Sequence, residues 1–429
     1  MTSLYLILWI AGGVLLQLAV YLSIGFWRHW QSYQALRNVA QEFDTAANPD
    51  VAPEELQPVA AAWSGYRSFR VERKVQEDTT KQVCSFYLVP EDGKPLPTFL
   101  PGQFLTFQLD APAVLTGSQP VIRCYSLSDA PHSTHYRISV KRAPAPVGSP
   151  YPAGISSNYL HDHIQVGSQL QVRAPAGHFH IDRSDAPVVL IGGGIGITPM
   201  LSMLNWCLKE QPTREVWLFY GVRNRSELVM QNHLEDLAAQ QPNFHLHLCM
   251  SDPHADDLDK HPSGPVHHHH GRVDVSLLRR LLPLKPYHYY LCGPTPMLQS
   301  LVPALEDWGV PDGRIHFEAF GPASIPRKNL ASAARATSTG DDKDAAVLVT
   351  FAKSGKQEIW KPGMGSLLDF AEGLGIVVSS GCRAGGCGSC QTSIRSGEVA
   401  YTQAPDFDPE PGSCLLCVST PKTAVTLEA

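Results

Sequence analysis

The sequence predicts a multidomain chain: an antiparallel β domain, an α/β domain with a parallel sheet, and a small α+β domain, preceded by an N-terminal transmembrane helix. Three observations behind the soluble domains are local. Short alternating segments such as "QFLTFQL", "YRISVKR" and "SQLQVRAP", separated by Gly and Pro turns, run from Phe69 to about His180. A fully apolar strand then passes through glycines into a helix, "PVVLIGGGIGITPMLSMLNWCL". Near the end stand Cys382-x4-Cys387-x2-Cys390 and then Cys417.

The N-terminal element is the run "SLYLILWIAGGVLLQLAVYLSIGFW" at 3–27, which carries no charge. Its length exceeds a bilayer's hydrocarbon core of about 30 Å, and nothing basic precedes it as a secretory signal would require. The alternative is a buried core helix, for which the run is unusually long. Arg28 and Arg37 follow it, so the expectation is a single-pass anchor in the inner or plasma membrane with the catalytic domains cytoplasmic. Residues 38–65 are polar, acidic and proline-bearing, and read as a tether.

The alternating segments at 66–183 predict a barrel or sandwich. At 184–322, "REVWLFYGVR" and "YHYYLCGP" add apolar strands between helical stretches, which predicts a parallel sheet with helices on both faces. "PHADDLDKHPSGPVHHHHG" reads as a surface loop, because no carboxylate or cysteine ligand spacing accompanies the histidines. Residues 323–344 read as a linker. The final domain, 345–429, opens on a hairpin-like pair and the helical "GSLLDFAEGLG".

Of 429 residues, 43% are hydrophobic and the net charge is -6, so neither composition nor any basic run favours nucleic acid. Ten cysteines are too few for a disulfide scaffold in a chain of this length. The spacing of Cys382, Cys387 and Cys390 matches plant-type 2Fe–2S ligation, with Cys417 after 26 residues as the fourth ligand. Zinc sites usually present two close pairs instead. Cys414, three residues before Cys417, is the rival fourth ligand. Gly381, Gly385, Gly386 and Gly388 clear side-chain bulk so that backbone N–H groups can face the sulfurs.

A 2Fe–2S cluster carries one electron and accepts no hydride, so a flavin converter is expected elsewhere in the chain. In "RCYSLS", Arg123 suits a phosphate, Tyr125 a ring face, and Ser126 a flavin nitrogen. Alone, those six residues are ordinary strand chemistry. "GISSNYLHDH" adds a helix start suited to an anion, and "GGGIGITPM" a glycine turn between strand and helix.

Together, "RCYSLS", "YRISVKR", "SNYLHDH", "PAGHF", "GGGIGITPMLSML", "YLCGP" and "FEAFGP" give residues 69–322 a close resemblance to the reductase half of flavohaemoglobins and to the ferredoxin–NADP reductase superfamily. The cysteine segment, closing on "GSCLLCVSTP", resembles plant-type ferredoxins and the modules fused to oxygenase reductases. The resemblance implies a flavin-binding β-barrel, a nicotinamide-binding domain and a β-grasp ferredoxin module. It implies FAD held by Arg123, Tyr125 and Ser126, with Gly154, Ser156 and Ser157 around its phosphates. Gly194, Thr198 and the Cys292–Gly293–Pro294 turn would receive the nucleotide, with NADH favoured and NADPH the alternative. Phe320 would cover the flavin, and Ser126, Glu318 and Cys292 would tune geometry and proton supply.

No globin precedes the flavin domain, so haem-based nitric oxide chemistry does not carry over from the resemblance. The arrangement is more similar to NADH oxidoreductases serving hybrid-cluster proteins or oxygenases. It implies a separate acceptor (hybrid-cluster, oxygenase or haem protein) docking around Arg383. A diaphorase using a small acceptor and a membrane-tethered redox sensor stay open beside it.

Overall fold

The computed structural model describes residue 17 and residues 63–111, 120–145, 148, 152–254, 257, 265–320, 346–383, 385–402, 405 and 407–429. Almost all of these belong to one compact unit, Ala60–Ala429.

The first domain is a barrel. Its strands are β1 (Arg67–Gln76), β2 (Val83–Pro90), β3 (Phe104–Leu109), β4 (Val121–Ser126), β5 (Tyr136–Lys141) and β6 (Gln169–Val172), in the order β4-β3-β6-β1-β2-β5. A bridge between Leu127 and Ile138 joins the outer strands β4 and β5 and closes the ring. Period-two alternation turns Phe69, Phe86, Leu105, Phe107 and Ile138 inward as a fully buried core. Helix α1 (Ile155–His163) lies between β5 and β6.

The second domain is a parallel sheet of β7 (Val188–Gly193), β8 (Val216–Val222), β9 (Phe244–Met250), β10 (Val266–His270), β11 (His288–Gly293) and β12 (Ile315–Ala319). Their order is β10-β9-β8-β7-β11-β12, every pair parallel. Both faces are covered, which is why β7 is buried at every position. The helices are α2 (Ile197–Glu210), α3 (Gln231–Gln240), α4 (Val275–Leu281) and α5 (Thr295–Asp307). The strand order reverses about β7, so the crevice at the carboxyl ends of β7 and β11 is where such sheets bind ligands.

Asp129 ties the two domains together. Its backbone carbonyl accepts from Ser202 Oγ of α2 at 2.7 Å, and its carboxylate from Asn205 Nδ2 at 2.7 Å. The nearly buried Arg137 balances that carboxylate at 3.1 Å.

The third domain pairs β13 (Val347–Phe351) with β14 (Lys356–Trp360) as the expected hairpin. With β15 (Gln391–Ser396), β17 (Ser413–Leu415) and β19 (Val425–Leu427) they form a sheet ordered β14-β13-β19-β15-β17, and β16 (Val399–Tyr401) pairs with β18 (Ser419–Pro421). Helix α6 (Leu367–Gly373) packs into this core behind a Ser366–Asp369 capping box. This is the β-grasp arrangement.

The structure corrects the fold expectation in one respect. Among the described residues no helix is long and apolar enough to cross a membrane. The longest, α2, has 14 residues, about 21 Å against a core of about 30 Å. The transmembrane helix is therefore removed from the fold class. The run at 3–27, apart from Gln17, lies outside the described residues, as do most of the tether and the whole 323–344 linker.

The histidine run also differs from expectation. Rather than a loop, Val266–His270 forms the edge strand β10, parallel to β9. Its imidazoles extend a stack in which the His247 ring lies 4.7 Å from Phe219, 4.8 Å from His267 and 5.2 Å from His269. Ring stacking on a pleated face, rather than loop composition, decides that segment.

Candidate functional site

Strand β4 supplies the first wall. Its register against β3 sets Tyr125 opposite Leu105 and Arg123 opposite Phe107, with Tyr125 edge-on to the Phe107 ring at 5.7 Å. Burial pushes the Tyr125 hydroxyl well above the ordinary phenol range, so it stays neutral. Cys124 and Ser126 alternate to the other face of the strand, where Cys124 Sγ lies 3.4 Å from Thr106 Oγ1.

A cavity of about 390 Å³ opens on this strand. Arg123, Tyr125, Ser126, Thr198, Glu318, Phe320 and Cys382, all drawn from the sequence, line it together. Cys124, Lys141, Ile195 and Arg383 also line it and were not singled out for such a cavity. Cys124 stands inside "RCYSLS", and only the packing of the third domain brings it to the cluster loop.

Gly154, Ser156 and Ser157 open α1 beside the end of β5, outside the cavity lining. A Cβ on Gly154 would lie 2.8 Å from Ala143 Cβ. Ser156 Oγ is buried with no hydrogen-bond partner. An unmet hydroxyl beside the free N–H groups of a helix start fits the phosphates of FAD.

At the crevice the turns after β7 and β11 touch. A Cβ on Gly196 would lie 2.2 Å from the Cys292 carbonyl oxygen, so only glycine allows the approach. Gly194 holds φ +54°, and Thr198 Oγ1 caps the turn through Ile195 O at 3.0 Å. Pro294 is the N-cap of α5. Two helix starts thus face one crevice, which fits a dinucleotide pyrophosphate.

Cys292 is fully buried behind this turn and absent from the cavity lining. Burial, then the neighbouring Glu318, pushes its thiol well above the ordinary range, which leaves it a neutral packing group. Glu318, its neighbour in register on β12, has one carboxyl oxygen buried with no hydrogen-bond partner, and burial raises its pKa to about 8.

The cluster loop supplies the last wall. Gly386 N donates to Cys382 Sγ and Cys382 N to Cys387 Sγ, both at 3.2 Å. Ser389 Oγ is 3.2 Å from Cys387 Sγ, and Cys390 Sγ is 3.1 Å from Cys417 Sγ. Hydrogen bonds from the Cys124 and Cys382 thiols hold Cys387 well below the ordinary thiol range. Gly385 and Gly388 adopt φ +77° and +70°, and a Cβ on Gly381 would lie 2.9 Å from Cys387 Sγ. A glycine cradle with N–H groups aimed at sulfur fits a 2Fe–2S cluster. Cys414 is fully buried, pushed up to about 12 by burial, and packs in the module's core. Arg383, expected on a docking face, is only 18% exposed and is held by Glu372 and Asp369.

The fold and site define a flavin- and nicotinamide-dependent oxidoreductase carrying its own iron–sulfur module. Residues 71–181 match the oxidoreductase FAD-binding domain, 190–302 the oxidoreductase NAD-binding domain and 351–422 the 2Fe-2S iron-sulfur cluster binding domain. The chain is 40% identical over 271 residues to a flavohemoprotein of Halalkalibacterium halodurans, covering 63% of each chain. It thus spans under two thirds of that relative's length. The flavohem-like FAD/NAD-binding domain of nitric oxide dioxygenase from Vibrio cholerae O1 biovar El Tor is 35% identical, with TM-score 0.50, covering 60% of this chain and 100% of that one. Phthalate dioxygenase reductase is 25% identical, with TM-score 0.48, covering 85% of this chain and 98% of that one. The chain belongs to the ferredoxin–NADP reductase-like oxidoreductases, with a C-terminal 2Fe–2S domain.

Proposed function

We propose that this chain takes hydride from NADH at FAD and delivers single electrons, through its 2Fe–2S cluster, to a separate metalloprotein. One observation carries the reading: β4, the nucleotide turn at Ile195 and Thr198, the end of β12 and the cluster loop line a single cavity. When bound there, FAD supplies the conversion between a two-electron donor and a one-electron carrier.

The protein's own residues bind and orient. Tyr125 offers a neutral ring face and Arg123 a cation, while Phe320 closes the cavity from the end of β12. Thr198 and Ile195 line the same cavity and would hold the nicotinamide end of the nucleotide. Alignment of donor and acceptor is where much of a hydride-transfer barrier is removed. Glu318 is protonated at neutral pH, so it presents a carboxylic acid rather than a charge to this wall.

NADH is favoured over NADPH because the arginines after β8 are already engaged. Arg223 pairs with Glu227 through Nε at 2.8 Å, and Arg225 with Glu235 at 3.3 Å. A 2′-phosphate would have to displace those carboxylates. With Arg383 held inside, the exit face we assign is around Tyr401, 39% exposed, whose strand partner Ser419 stands two residues after Cys417. Hybrid-cluster, oxygenase and haem proteins are the acceptor classes that take single electrons in this way.

Purified anaerobically, the protein should release FAD and contain iron and acid-labile sulfide in equal amounts. Its kcat/KM should be higher for NADH than for NADPH. Zinc without sulfide, FMN in place of FAD, or a preference for NADPH would each defeat its part of the reading.

A further inference from the structure

Within the flavin-binding strand, one residue touches the iron–sulfur side of the cavity. Cys124 lies between Arg123 and Tyr125, yet strand alternation turns its side chain away from the Tyr125 face. Its Sγ, with those of Cys382 and Cys387, forms a group in which all three sulfurs lie within 4.8 Å of one another. Thr106 Oγ1, 3.4 Å from Cys124 Sγ, holds the thiol from behind. The loop leaves little room there, since a Cβ added at Gly381 would lie 3.7 Å from Cys124 Sγ.

We propose that Cys124 is a positioning residue at the flavin–cluster junction, its thiol placed to donate its one hydrogen bond to the ligand sulfur of Cys387 or Cys382 from the strand that cradles the flavin. The inference rests on the function proposed above. A thiol is a weak donor with one proton to give. Donors to ligand sulfur stabilise the reduced, more negative cluster and so raise its potential. Cys124 is not counted as a ligand, because the three-plus-one set already supplies four sulfurs. It also brings the cluster loop against the strand that carries Arg123 and Tyr125.

The test compares full-length wild type, Cys124→Ala and Cys124→Ser. Iron, sulfide and FAD contents are measured first, then the cluster's midpoint potential and the g-values of its reduced state. Cys124→Ala should keep its iron and sulfide, move the potential negative and shift the g-values. Its flavin-to-cluster electron transfer should slow by about tenfold. Cys124→Ser, which restores a donor, should recover most of the wild-type potential. Unchanged potential and g-values in a fully loaded Cys124→Ala protein would overturn the proposal. So would loss of the cluster in both variants, which would make Cys124 a ligand. Absence of the cluster from wild type would instead overturn the underlying function, and this inference with it.

Discussion

Glu318 is the residue whose chemistry depends most on its surroundings. Burial lifts its pKa from the ordinary 4.5 to about 8. The unfolded chain therefore binds fewer protons here than the native one between about pH 4.5 and 8, and this group's contribution to stability falls as pH rises through that window. Chemical denaturation from pH 5 to 9 should show that decline in wild type and a flatter profile in Glu318→Gln. The rate of flavin reduction by NADH should fall as pH rises through about 8 in wild type, while the glutamine variant follows a flatter course. Ser156 offers a second test at this scale. If its unmet hydroxyl receives a phosphate oxygen, Ser156→Ala should weaken FAD by about tenfold, read as the dissociation constant of the reconstituted apoprotein. An unchanged constant would remove Ser156 from the cradle. Both residues were legible in sequence through "FEAFGP" and "GISSNYL". That Glu318 is half-buried with one unpartnered carboxyl oxygen was not, because its neighbour β11 comes from the packed sheet rather than from its neighbours in the chain.

Among the elements, the two glycine turns at the crevice are the most demanding. Gly196→Ala would press a methyl group against the Cys292 carbonyl, a backbone atom that cannot rotate aside. The expected cost is about 1–3 kcal/mol of stability with a raised KM for NADH, measured by denaturation and steady-state kinetics. Full stability and normal KM would show that the turns can separate. The barrel strands, the β7–turn–α2 unit and the cysteine loop were legible because period, glycine placement and ligand spacing are local properties. Gly196 itself was not, since its partner lies on β11, nearly a hundred residues on. Strand β10 failed for a related reason. "VHHHH" carries no apolar signal, and only the aromatic face of Trp217, Phe219 and His247 beneath makes it a strand. Arg383 was likewise read from exposure in a loop, whereas Glu372 of α6 draws it inward.

Across the whole molecule, the account depends on the third domain meeting the first. Arg173, just after β6, stacks between Tyr66 at 4.8 Å and Phe407 at 4.9 Å, and Phe407 in turn fills the space over Gly388. Removing that contact in Arg173→Ala should lower the rate of cluster reduction more than the rate of flavin reduction, as seen in single-turnover absorbance traces. Equal effects on both would mean that the contact serves stability alone. Cys387→Ser makes the complementary prediction: cytochrome c reduction should drop at least about tenfold relative to flavin reduction. The most direct measurement of the central claim is anaerobic stopped-flow mixing of the full-length protein with NADH, followed at flavin and cluster wavelengths. The account predicts rapid bleaching of FAD followed by cluster reduction within the same molecule, at a rate independent of protein concentration. A cluster that stays oxidised, or is reduced only at a rate that rises with protein concentration, would contradict it.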